Sequence, residues 1–214
     1  MLKKFVMFVA ALLAFQSTAN AALYRWVDEQ GNVNYSNLPQ LQAVAISTKM
    51  PADNSRPRSF PVPLHGNLVL SVPASWDQEI QQPPDNQPPT IVLSPRQGNE
   101  FEVLITPLWS PKSEPGFNNS EAMKRLVGMD LKGMLPTAVE REVPLQEFQG
   151  KQWKGYYFFM TDKAPRPGEF PYVVRAGIGV GDLLLSVTVL CRTKDSEGLQ
   201  QTLKALQGAV QIKG

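Results

Sequence analysis

The sequence predicts an α+β fold: an antiparallel β-sheet covered by helices on its faces and preceded by a short β-hairpin. Three observations predict it. Residues 152–160 are apolar on both alternating faces, a pattern that belongs in a sheet covered on both sides. Two stretches, one mid-chain and one near the end, repeat apolar residues at three- and four-residue spacing. Close to the start, two short runs of large residues flank a polar turn that contains glycine, which marks a hairpin.

Residues 1–21 have the layout of a cleavable secretory signal peptide. Lys3 and Lys4 make a positive start, residues 5–15 an apolar run, and Ala19-Asn20-Ala21 a cleavage pattern that places the cut before Ala22. The apolar run is shorter than the roughly 20 residues a membrane span needs, so the mature chain is expected to be periplasmic or secreted with no integral span. No cysteine stands near the cut for a lipid anchor. Removing Lys3 and Lys4 leaves 19 basic and 19 acidic residues. With that balance, and with basic residues scattered, nucleic acid is not an expected partner.

Residues 22–39 form the expected hairpin, with Tyr24, Trp26, Val33 and Tyr35 placed to share one face. A lone hairpin is marginal in water, so an aromatic face of this kind needs a surface to pack on. Tyr24, Trp26, Asp28 and Tyr35 are the candidate contacts for an envelope protein, a peptide or a glycan. The segment Tyr24-Arg25-Trp26-Val27-Asp28, Gly31 and Tyr35-Ser36-Asn37-Leu38-Pro39 resembles a small domain of unknown function from exported proteins of Gram-negative bacteria. Arg25 stands where that pattern has lysine, Asn37 where it has aspartate, and Asn34 where histidine is common. The resemblance implies no established activity.

Residues 40–63, with Pro51, Pro57, Pro61 and Pro63, are expected to be an extended linker. Strands are expected at 68–72, 90–94 and 101–108, the first ended by Pro73 and the second preceded by a loop holding four prolines. Met123, Leu126, Val127, Leu131, Met134 and Leu135 then define an amphipathic helix, capped by Asn118 or Asn119 and stopped by Pro136. Further strands are expected at 139–148, 152–161, 172–180 and 183–192, the last two joined as a hairpin through Gly181-Asp182. A closing helix is expected from Asp195 or Ser196 to about Gly208, with Leu199, Leu203, Leu206 and Val210 on one face.

That order resembles the PsbP/Mog1-like fold, an α/β/α sandwich, over residues 64–214. The local features are Leu68-Val69-Leu70-Ser71-Val72-Pro73-Ala74-Ser75-Trp76, a strand running into Pro-x-x-Trp, and the strand start Lys154-Gly155-Tyr156-Tyr157. Ser75 replaces the glycine usual in that family. The resemblance implies a binding, assembly or accessory role.

Several chemistries lack their residues. His65 is the only histidine and Cys191 the only cysteine, so His/Cys zinc sites and an internal disulfide are excluded by count. Cys191 lies in an apolar strand, where a buried inert thiol is expected. No Gly-x-Ser-x-Gly elbow or calcium-loop spacing occurs. In Gly177-Ile178-Gly179-Val180-Gly181 the third glycine of a dinucleotide loop would fall on Asp182, and a hairpin turn is expected instead. No cofactor, metal or catalytic residue is therefore expected. The leading expectation is a non-enzymatic exported binding or assembly module. Two alternatives stand beside it: an envelope glycan hydrolase using the carboxylate pairs Glu100/Glu102 or Glu140/Glu142, and a glycan or peptide binder acting through the aromatic hairpin. Trp153, Tyr156 and Tyr157 are expected in the core rather than stacked on a ligand.

Overall fold

A computed structural model describes residues 54–84, 87–110, 112 and 114–213, together with the backbone of three short strands nearer the start. The chain divides into two compact units, Met1–Ala52 and Asp53–Gly214.

In the first unit, β1 (Tyr24–Val27), β2 (Val33–Ser36) and β3 (Val44–Ala45) form an antiparallel sheet of order β2-β1-β3. The expected hairpin is present, and it gains a third strand from the stretch expected as linker. The register pairs Trp26 with Asn34 and Arg25 with Tyr35. Opposite positions share a face, so Tyr24 and Trp26 fall on one face and Val33 and Tyr35 on the other. The expected single aromatic face is therefore corrected by a one-residue difference in register. The signal segment and Asp28 lie outside the described residues.

The second unit begins with β4 (Ser55–Val62), also within the expected linker, and β5 (Gly66–Pro73). Pro57 and Pro61 have equal parity on β4, an edge strand, and both rings are exposed. One side of an edge strand can lack N–H donors without loss to its neighbour, while Phe60 and Val62 point into the core. The connecting turn has His65 N–H donating to the Val62 carbonyl at 2.9 Å. Leu64 occupies its third position at φ 65°, a glycine-favouring conformation, with its side chain 88% exposed.

There follow β6 (Trp76–Gln81), β7 (Thr90–Pro95), β8 (Phe101–Leu108), α1 (Ser120–Met134, with a 3-10 turn Leu135–Thr137), β9 (Gln146–Gln149), β10 (Lys154–Thr161), β11 (Tyr172–Val180), β12 (Leu183–Cys191), α2 (Glu197–Gln207) and β13 (Val210–Ile212). Seven strands make one antiparallel sheet of order β6-β7-β8-β12-β11-β10-β9. The other sheet has the order β13-β5-β4. One face of the large sheet packs on the small sheet and α2, enclosing Phe60, Leu68, Leu70, Ile105, Leu185 and Leu206. The other face meets α1 over β10 and β11, where Met123 and Val127 pack on Tyr156, Phe158 and Met160. Tyr157 and Phe159 pack on the first of these cores, so β10 is covered on both faces as its sequence requires.

Asn119 is the cap of α1, its Oδ1 accepting the Ala122 N–H at 2.9 Å, and Ser196 caps α2. Arg175 of β11 ties down α1 through Asp130 at 2.8 Å. Two further expectations are corrected. The strand expected over 139–148 is confined to Gln146–Gln149, because Pro144 interrupts it. Residues ahead of Pro144 are instead strapped to β10, with Val139 N–H donating to the Thr161 carbonyl at 2.8 Å. Val210 belongs to β13 and pairs with Val69, not to the face of α2. β6 went unpredicted because only Trp76 of its six residues is buried.

Candidate functional site

The two carboxylate pairs fall at the start of β8 and on the segment ahead of β9. Glu140 is spent on Thr161: Oε2 accepts its backbone N–H at 2.9 Å and Oε1 its hydroxyl at 2.6 Å. Glu142 is exposed on the loop beyond, and Glu100 stands just before β8 while Glu102 lies within it. Among the described residues, no three His, Cys, Asp or Glu side chains converge on a possible metal position. His65 stacks on Trp109 with ring centroids 4.7 Å apart. Cys191 is fully buried, and burial raises its thiol pKa against a smaller opposing effect from a hydrogen bond with Ser196.

The expected hairpin contacts fall on β1 (Tyr24, Trp26) and β2 (Tyr35), on opposite faces as described. Trp153 stands in the turn before β10. Tyr156 is buried under α1, and Tyr157 is half-buried with its hydroxyl donating to Gln146 Oε1 at 2.6 Å. Burial pushes the Tyr157 phenol up to about 12.

A cleft of about 200 Å³ opens at the end of the second unit where β11, β13 and the β9–β10 turn meet. Its walls are built from local sequence. Gly150 closes the β9–β10 turn, its N–H donating to the Trp153 carbonyl at 3.0 Å. A β-carbon at 150 would lie 2.8 Å from the Trp153 carbonyl oxygen and press on Ile178 Cδ1, so glycine lets the turn sit against β11. Gly179 has the same role on the facing strand, where a β-carbon would meet the Asn118 carbonyl and come within 2.8 Å of Trp153 Cδ1. Gly181 adopts φ 58° to turn the chain into β12. Close packing and chain reversal thus account for the glycine run, as the hairpin expectation held.

Asn118 locks that reversal from the start of α1, donating to the carbonyls of Gly181 at 2.7 Å and Leu183 at 2.9 Å. Gln211 locks it from β13, accepting the Asp182 N–H at 2.6 Å and donating to the His65 carbonyl at 2.8 Å. Inside these struts, the buried apolar side chains of Ile178, Val180, Leu206 and Ala209 line the cleft, with Lys151 and Gln152 exposed on the turn beside them. Asp182 is paired with Lys213 at 2.7 Å. Sequence reasoning missed this cleft; its one visible signal was the spacing of Gly177, Gly179 and Gly181.

Among solved structures, the chain is similar to the cyanobacterial PsbP protein (CyanoP) of Synechocystis sp. PCC 6803, at 8% identity and a TM-score of 0.41, over 93% of this chain and 98% of that one. It is similar also to a protein from Bacteroides thetaiotaomicron VPI-5482, at 11% identity and a TM-score of 0.41, over 75% of this chain. It spans about half of that protein, 49% of its length. No curated protein matches the chain. Residues 10–63 match the family described as Domain of unknown function (DUF4124), and this match contains the whole motif from Tyr24 to Pro39 that carried the resemblance.

Proposed function

We propose that this chain is an exported, non-enzymatic binding or accessory module of the cell envelope, and that its ligand or partner is engaged at the cleft between the β9–β10 turn and β13. The positive start, apolar run and Ala19-Asn20-Ala21 pattern support export. Among the described residues no helix is long and apolar enough to cross a membrane. The observation that carries the binding role is the cleft, in which buried aliphatic side chains and glycine backbone stand beside Lys151 and Gln152, whose side chains have no partner among the described residues.

The test is calorimetric titration of the full chain, purified after export, with the peptide and small-molecule fraction of envelope extracts. Saturable binding that is lost in Gln152→Trp, which crowds the cleft from an exposed turn position, supports the reading. Absence of saturable binding would sink it, as would binding indifferent to Gln152→Trp. Binding lost only on deletion of residues 22–39 would transfer the role to Tyr24, Trp26, Asp28 and Tyr35.

A further inference from the structure

We infer that the cleft takes a carboxylate borne on a short aliphatic group, either a free short-chain acid or the C-terminus of a peptide ending in an aliphatic residue. This deepens the proposed function and rests on the cleft being the ligand site.

Three consecutive residues carry the inference. Among the described residues Lys151 has no acidic partner, and the Gln152 side chain makes no hydrogen bond. Trp153 Nε1 is buried with no acceptor, the sole buried side-chain nitrogen or oxygen in that condition among the described residues. Buried donors are almost always satisfied, so this one, on a ring whose Cδ1 lies against Gly179 of the cleft wall, is unusual. Lysine and indole offer donors only, so the ligand they suit is an acceptor. The ammonium favours an anionic one.

The remaining walls restrict the anion. Ile178, Val180, Leu206 and Ala209 are buried aliphatic groups that suit a hydrocarbon tail, whereas a fully hydrated phosphate or sulfate would lose water against them. Acid groups do not oppose the charge, because Asp182 is already held by Lys213.

The experiment is a two-dimensional ¹H–¹⁵N titration of the full exported chain with four probes: hexanoate, hexanamide, the peptide acetyl-Gly-Ala-Val with a free C-terminus, and its C-terminal amide. Saturable shifts at Gly179, Gly181 and the Trp153 indole N–H are expected with an acid, at least tenfold weaker with the matching amide. Lys151→Ala should weaken the acid at least fivefold and leave the amide unchanged. Tighter binding of the peptide acid identifies a chain terminus as the source, and tighter binding of hexanoate a free acid. Equal binding of acid and amide overturns the inference, as does indifference to Lys151→Ala or absence of saturation with both acids. If neither acid saturates while the extract fraction still binds in a manner lost by Gln152→Trp, the inference falls and the proposed function stands.

Discussion

The Gln211 side chain accepts the Asp182 N–H at 2.6 Å, joining the last strand to the β11–β12 turn across 29 residues of sequence. Its other end donates to the His65 carbonyl at 2.8 Å, so one amide ties together three segments that are remote along the chain. Leucine at 211 would keep the volume and lose both bonds. Gln211→Leu is expected to lower stability by about 1–3 kcal/mol, at roughly 0.5–1.5 kcal/mol per bond. Urea unfolding checks it, and amide exchange at Asp182 should quicken selectively.

Gly179 and Gly128 should respond to alanine with opposite signs. At Gly179 the new methyl group would meet the Asn118 carbonyl and lie 2.8 Å from Trp153 Cδ1, so backbone has to shift. Overpacking of this kind costs about 1–3 kcal/mol. Gly128 sits inside α1 with nothing within 4 Å of the added atom. Gly128→Ala is expected to stabilise by about 0.5–1 kcal/mol. Thermal unfolding of the two variants beside the parent separates them.

What was legible in the sequence follows from where each signal resides. β10, β11 and β12 announce themselves because their apolar residues alternate or run continuously within one segment, and α1 because its spacing, Asn119 cap and Pro136 stop are local. β4, β6 and β13 were missed because pairing, not composition, makes them strands. β4 carries two prolines tolerated only at an edge, β6 is polar beyond Trp76, and β13 has three residues aligned by β5. The hairpin was legible, but its register was not, since a one-residue slip exchanges the faces of Tyr35 and Asn34 relative to Trp26. The cleft drew on residues 151–152, 178–181, 206 and 209–211, which no local pattern connects.

Tyr157 gives the stability a distinct alkaline limb. Its phenol is pushed up to about 12 in the folded chain by burial, against about 10 for an exposed tyrosine. The unfolded chain therefore releases this proton first as pH rises, and stability is lost from about pH 10 until the folded pKa is reached. Tyr157→Phe should remove this component, on the order of 2 kcal/mol across that window. Denaturant titrations of parent and variant at pH 9, 10, 11 and 12 provide the comparison; parallel curves would contradict it.

Cys191 should be chemically silent while the chain is folded. It is fully buried on β12, and burial disfavours its thiolate. Reaction with a thiol-specific chromogenic disulfide is expected to proceed at the rate of opening in buffer and at once in denaturant. Immediate stoichiometric labelling in buffer would contradict the packing of β12 against α2.

The central claim is that the functional surface is the cleft at the end of the second unit. The most direct measurement is the ¹H–¹⁵N map of the full chain with the low-mass envelope fraction added. The account expects saturable shifts concentrated at residues 151–153, 178–181 and 209–211. Shifts confined to Tyr24, Trp26 and Tyr35, with those three segments unmoved, would contradict it.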